Sequence, residues 1–235
     1  MASEYGQFCP VAVACEVFAR PWTPIILREL LSGAEQFNQI HHGLPLISRP
    51  LLSRRLRELE SAGILRREPL PVGRGHSYRL TPAGRELGSV IDALGEWGQR
   101  WTSRVDPERL DPAFLIWNMH RRVASERLPD RRIVLRIRFT GVPARHRGPR
   151  QFWLILETAQ VDVCARDPGF EVDLDVEADL ATMARVWLGD LTFEQALRSR
   201  KLRLDGSREL TRAFPAWWRL SRFADVPRPG ARAGA

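Results

Sequence analysis

The spacing of hydrophobic residues divides the chain into two regimes, and that division constrains the fold more than any other feature. Residues 1–101 repeat apolar side chains at helical spacing around one pair of strand-like arms, whereas from about residue 130 the spacing becomes alternate, as in half-buried strands. Between the two lies "VDPERLDP" (105–112), a polar, proline-bearing link. We therefore expect an α+β protein of two domains: a mainly helical one with a β-hairpin at 1–104, and an α+β one with a mostly antiparallel sheet at 113–228. Residues 105–112 form the linker and 229–235 a flexible tail. A chain of 235 residues with 44% hydrophobic content has enough apolar material for a core in each.

The first domain spells out an order of elements. "CPVAVACEVFA" (9–19) and "TPIILRELLSG" (23–33) have helical spacing; Thr23–Pro24 is a cap-and-first-turn signal and Gly33 a stop. "QFNQIHHGL" (36–44) makes a further short helix, "PLI" turns the chain, and Ser48 is placed to cap the helix within "LISRPLLSRRLRELESAGIL" (46–65). "ILRREPLPVGRGHSYRLT" (64–81) then reads as two strands around a Pro/Gly-rich tip, and "PAGRELGSVIDALGEWGQRW" (82–101) as a long amphipathic helix starting at Pro82.

The helix within 46–65 can be read in two ways when taken alone: an amphipathic helix with a solvated basic face, or a helix made to lie against a polyanion. On a helical wheel Leu52, Leu56 and Leu59 fall together as the core side. Ser53, Arg54 and Arg57 lie opposite, Arg49 stands in the first turn, and Glu58 and Glu60 come later. Residues 46–80 hold eight arginines and three acids, a local +5, while residues 1–101 hold 12 bases and 10 acids, only +2. The charge is therefore focused. The whole-chain net charge of +8 says less, because only Lys201 among 36 basic residues is a lysine, a bias that can reflect genome composition. A capped helix preceded by a short helix and turn, and followed by an arginine-tipped hairpin, supplies a groove reader beside a phosphate or minor-groove probe, which favours double-stranded DNA as partner.

In this order "CPVAVACEVFARPWTPIILRELLSG", "FNQI", "LLSRRLRELESAGI" and "YRLTPAG" resemble the HxlR family of winged helix-turn-helix transcriptional regulators, over residues 8–101. The resemblance implies an N-terminal winged helix-turn-helix and a homodimer that reads a near-palindromic operator. Helices 10–18 and 82–101 would be the dimer elements, with Gly95, Trp97, Gly98 and Trp101 along the seam. It assigns DNA binding to Ser48, Arg49, Ser53, Arg54, Arg57 and Arg74. Arg54 and Arg57 are candidates for base edges or adjacent phosphates, Ser48 and Arg49 for a phosphate at the helix start, and Arg74 for the minor groove or its phosphates. Some family members sense redox state at the cysteine matching Cys9. Here no second cysteine lies near the recognition helix, so a sensor would have to work through a disulfide between subunits or with Cys15; the favoured reading is a small buried packing residue, because unpaired cysteines behave as apolar side chains.

In the second domain "RRIVLRIRFTG" (131–141) puts Ile133, Leu135, Ile137 and Phe139 on one face. "RQFWLILET" (150–158), "VDVCARD" (161–167) and "EVDLDVEA" (171–178) add strands, and "KLRLDG" another. Helices are expected at 114–128, 179–190, 192–200 and 207–224, the last bent or divided at Pro215. "DLATMARVWLGDLTFEQAL" and the following glycine of "LRLDG" are similar to sterol carrier protein-like domains. That similarity implies an apolar tunnel for a hydrophobic small-molecule effector. Its candidate wall residues are Phe152, Trp153, Met183, Trp187, Phe193, Leu197, Phe214, Trp217 and Trp218, all of which could equally be ordinary core.

Histidines 41, 42, 76, 120 and 146 show no metal-ligand spacing, and neither a nucleophile elbow nor a phosphate loop is present, so the chain reads as a non-enzyme without metal or cofactor. Asp173, Asp175 and Asp179 read as a solvated edge rather than a cation site. Three cysteines make no disulfide framework, no apolar run could span a bilayer, and no signal peptide is evident, which points to the cytoplasm. The alternative is a binding module for lipids or other hydrophobic small molecules whose winged helix is an interaction domain.

Overall fold

A computed structural model describes residues 5–70, 75–102 and 105–229. The chain forms two compact units, Met1–Trp97 and Gly98–Ala235. The division falls inside a helix, upstream of the proline-bearing link, because the end of that helix belongs to the second unit. Gln99 is buried there and its amide donates to the Leu188 carbonyl at 3.0 Å.

The first unit runs α1 (Pro10–Phe18), α2 (Thr23–Leu31), α3 (Phe37–His42), α4 (Arg49–Ser61), β1 (Leu65–Pro69), β2 (His76–Leu80) and, as far as Trp97, α5 (Pro82–Trp101). Prolines sit in the first turns of α1, α2 and α4, where no intrahelical N–H is lost. In α3, Gln36 and Gln39 cap reciprocally. β1 and β2 pair antiparallel from Leu65↔Leu80 to Pro69↔His76. A third short segment joins them: Gln36 bridges Ser77, and the Tyr78 amide donates to the Glu35 carbonyl at 2.7 Å. The alternation of two arms could not reveal this segment, because a single bridging residue has no period. Ile26, Leu27, Ile40, Leu52, Leu56, Leu59 and Leu65 form the core. Glu29 is fully buried within α2 and takes a 2.7 Å ion pair from Arg28.

The glycine of the "YRLTPAG" run has a steric reason. A Cβ on Gly84 would stand 2.1 Å from the Ile64 carbonyl oxygen, which also accepts the Thr81 amide at 3.0 Å and so cannot withdraw. Gly84→Ala is expected to destabilise the first unit by about 3 kcal/mol, the upper range of overpacking, read as a lowered thermal midpoint.

In the second unit five strands, β3 (Ile133–Thr140), β4 (Gln151–Leu156), β5 (Val161–Cys164), β6 (Leu174–Asp179) and β7 (Leu202–Gly206), form one sheet in the order β5-β4-β3-β6-β7. Only β3 and β6 run parallel. Ile133, Leu135, Ile137 and Phe139 face the core, and Arg136 and Arg138 stand on the other face opposite Asp175 and Glu177 of β6. Around the sheet lie α6 (Pro112–His120), α7 (Leu180–Trp187), α8 (Phe193–Arg198) and α9 (Arg208–Ala213).

Two expected helices are shorter than their spacing suggested. That expected at 114–128 ends at His120, and a separate 3-10 turn follows at Ser125–Arg127. That expected at 207–224 ends at Ala213, passes into a 3-10 turn at Phe214–Trp217 containing Pro215, and goes no further. Tertiary pairing takes over its backbone: the Ala124 amide donates to the Trp217 carbonyl at 2.8 Å, and Val123 bridges Trp218. His120, at the end of α6, packs on Trp117 with ring centroids 4.5 Å apart. Burial lowers its pKa to about 4; nearby Arg121 adds to the effect, while the Trp117 and Ile116 carbonyls and the charge of Asp162 offset it in part.

Candidate nucleic-acid interface

The α4 helix presents two opposite faces. Leu52, Leu56 and Leu59 are buried, while Ser48, Arg49, Arg54 and Arg57 are exposed and Ser53 is half-buried. Ser48 caps the helix, its hydroxyl accepting the Leu51 amide at 3.4 Å. Arg49 is held from outside the helix: Nη1 donates to Asn38 Oδ1 at 3.1 Å and the guanidinium lies 5.7 Å from the Phe37 ring centre. Arg57 Nη1 donates to Ser53 Oγ at 3.1 Å. The structure thus brings five of the six candidate DNA contacts onto one helix; the sixth, Arg74, lies outside the described residues.

Two further α4 residues are engaged by other parts of the chain. Arg55 turns inward, donating to the Pro21 carbonyl at 3.1 Å and to Glu58 at 2.6 Å, and so braces the helix. Glu58 does not simply trail the basic cluster; its carboxylate is also 3.6 Å from Arg20 and 3.9 Å from Arg54. Partial burial works to raise its pKa, but the Arg55 hydrogen bond and the fields of Arg55, Arg20 and Arg54 outweigh it and hold the carboxyl below the usual range. Asn38 and Phe37 were missed from sequence because their role is to position Arg49 across a turn, and no motif marks that. On the hairpin Arg66, Arg67 and Arg79 are exposed, flanked by Glu68 and Glu35.

Cys9 is exposed, which corrects its reading as a buried packing residue: it precedes α1, a helix with no buried residue. The Ala12 and Val11 amides of the first turn favour its thiolate and lower the thiol pKa.

The tunnel candidates do not share one wall. Phe152 pairs with Ile137 and joins the main core, so Trp153, the next strand residue, points to the opposite face of the sheet. Met183, Phe214, Trp217 and Trp218 are buried in the core, with Trp187, Phe193 and Leu197 packed against it. Phe214 meets Phe193, Trp217 and Trp218 edge-on at 5.8, 6.1 and 5.5 Å. The acidic residues are engaged internally: Asp173 accepts from Arg131 and the Val134 amide, Asp175 binds Arg136 through both oxygens, and Asp179 caps α7. Among the described residues no single helix is long and apolar enough to cross a membrane.

Residues 17–106 match the HxlR-like helix-turn-helix family. The HTH-type transcriptional regulator YvaP of Bacillus subtilis is 32% identical over 108 residues, covering 45% of this chain and 97% of YvaP. The chain belongs to the HxlR-like family. An HTH-type regulator of Methanothermobacter thermautotrophicus is 38% identical over 99 residues, 42% of this chain and 76% of its own. YdeP of Bacillus subtilis is 34% identical over 106 residues, 45% and 83% respectively. The reduced form of the transcriptional regulator YodB from B. subtilis superposes with a TM-score of 0.37 at 29% identity, covering 41% of this chain and 97% of that one. The protein is thus a helix-turn-helix transcriptional regulator of the HxlR type, with its winged unit first and an α+β unit after it.

Proposed function

We propose that this HxlR-type regulator binds double-stranded DNA as a homodimer on a near-palindromic operator, with α4 in the major groove of each half-site. The observation that carries the reading is the outward face of Ser48, Arg49, Ser53, Arg54 and Arg57, opposite a leucine face that is wholly buried. Ser48 and Arg49 stand at the helix start, where backbone amides favour phosphate, and the Arg54 and Arg57 forks suit guanine edges. Arg74 would extend the contact to the minor groove. Selecting bound fragments from a genomic pool at several salt concentrations tests this: enrichment of a two-fold repeated site is expected, and uniform recovery of all fragments would overturn it.

The dimer is supported by exposed apolar side chains. Phe8 just before α1, Val11 and Val13 on α1, and Val90, Leu94 and Trp97 along α5 are all exposed. The double variant Leu94→Asp with Trp97→Asp is expected to be monomeric by sedimentation and to bind the operator at least about a hundredfold more weakly, because the two half-sites are no longer linked.

For the second unit we propose that a hydrophobic small-molecule effector binds within the sterol carrier protein-like domain. The buried indole N–H groups of Trp217 and Trp218 have no acceptor among the described residues, and a guest carrying an acceptor would satisfy them. A native mass spectrum of the full chain tests both assemblies: twice the chain mass supports the dimer, and an additional small mass the effector.

A further inference from the structure

The first unit holds a cleft of about 590 Å³ between the end of α1 and the second half of α4, within the size range of small-molecule sites. Its apolar lining comes from Val17, Leu59 and Ala62, and its charged lining from Arg20, Arg54, Arg57 and Glu58. The cations exceed what the carboxylate can serve. Glu58 makes its short contact, 2.6 Å, with Arg55, leaving Arg20 and Arg54 at 3.6 and 3.9 Å, while Arg57 is bonded to the neutral Ser53 hydroxyl. Arg20 is also set in place, its Nε donating to the Glu16 carbonyl at 2.6 Å. Three guanidinium groups therefore line an apolar-walled cleft with one already committed carboxylate among them. Phosphate would use the charge but leave the apolar lining without a function.

We propose that this cleft binds a small organic acid with a compact apolar body. The carboxylate lies among Arg20, Arg54 and Arg57, and the body against Val17, Leu59 and Ala62. The site is distinct from the effector domain considered above. Its regulatory consequence rests on the DNA reading already proposed: an acid that engages Arg54 and Arg57 withdraws them from the duplex, so it weakens operator binding.

The test uses the full chain without DNA and 2-naphthoate as probe, followed by calorimetry and amide chemical shifts. Saturable binding with shifts at Val17, Arg20 and Ala62 is expected. Binding should weaken about tenfold in Arg20→Gln, and by a similar factor for acetate, which lacks the body, and for 2-naphthalenemethanol, which lacks the charge. An unchanged thermal midpoint shows that Arg20→Gln is folded; if that variant unfolds, Ala62→Phe, which fills the cleft from an exposed position, takes its place. Absence of saturable binding, shifts confined to the second unit, or equal binding of the acid and its alcohol would overturn the site. If the acid binds as expected but the ligand-free protein selects no DNA, the operator reading fails while the cleft stands.

Discussion

Replacing Arg54 and Arg57 together by alanine is expected to abolish specific operator binding while leaving the first unit folded. Each guanidinium is worth about 1–3 kcal/mol if it meets a base edge, and a dimer presents each twice. Their intramolecular contacts are a 3.9 Å ion pair and a single bond to Ser53, both at the surface, so little stability depends on them. Arg55 is the internal control. Although it lies between the same neighbours in sequence, it is tied to the Pro21 carbonyl and Glu58, so Arg55→Ala should lower the unfolding midpoint. Fluorescence anisotropy on a selected DNA fragment, with thermal unfolding alongside, separates the two outcomes. A double variant that binds as tightly as the parent would remove α4 from the duplex.

The second large effect is an acid sensitivity in the α+β unit. His120 is neutral in the folded chain at pH values where an unfolded histidine takes up a proton, since burial lowers its pKa from 6.5 to about 4. A depressed histidine favours the fold above its unfolded pKa; as pH falls from 6.5 toward 4 the unfolded chain gains a proton that the folded chain refuses. The cost over that window is about 3 kcal/mol. Urea midpoints should therefore drop between pH 7 and pH 4.5. The carboxylates titrate in the same range, so the decisive comparison is with His120→Phe, which preserves an aromatic ring on Trp117 and should lose distinctly less stability over that interval. Parallel declines in the two proteins would refute the assignment.

Much of this architecture is legible in the residues because it depends on local periodicity. The leucines of α4, the cap at Ser48, the glycine stop at Gly33 and the alternating face of β3 all express contacts within a few residues, and each stands where its spacing placed it. The helices that ended early did so where distant backbone competed. Val123 and Ala124 pair with Trp218 and Trp217, a contact spanning more than ninety residues that leaves no periodic trace. A strand's alternation does separate two of the tunnel candidates: Phe152 and Trp153, adjacent in sequence, part to opposite faces of the sheet.

By itself the sequence determined the order of helices and strands and which side of α4 is apolar, both properties governed by bonds and contacts between near neighbours. Only the tertiary structure decided which of those cations are available. Arg55 is consumed by the Pro21 carbonyl, Glu58 collects Arg54 and Arg55 of its own helix and Arg20 from the bend after α1, and Arg49 is aimed by Asn38 and Phe37 from α3. A guanidinium's role is set by the carboxylates and carbonyls within a few ångströms of it, and those come from parts of the chain that meet only when it folds.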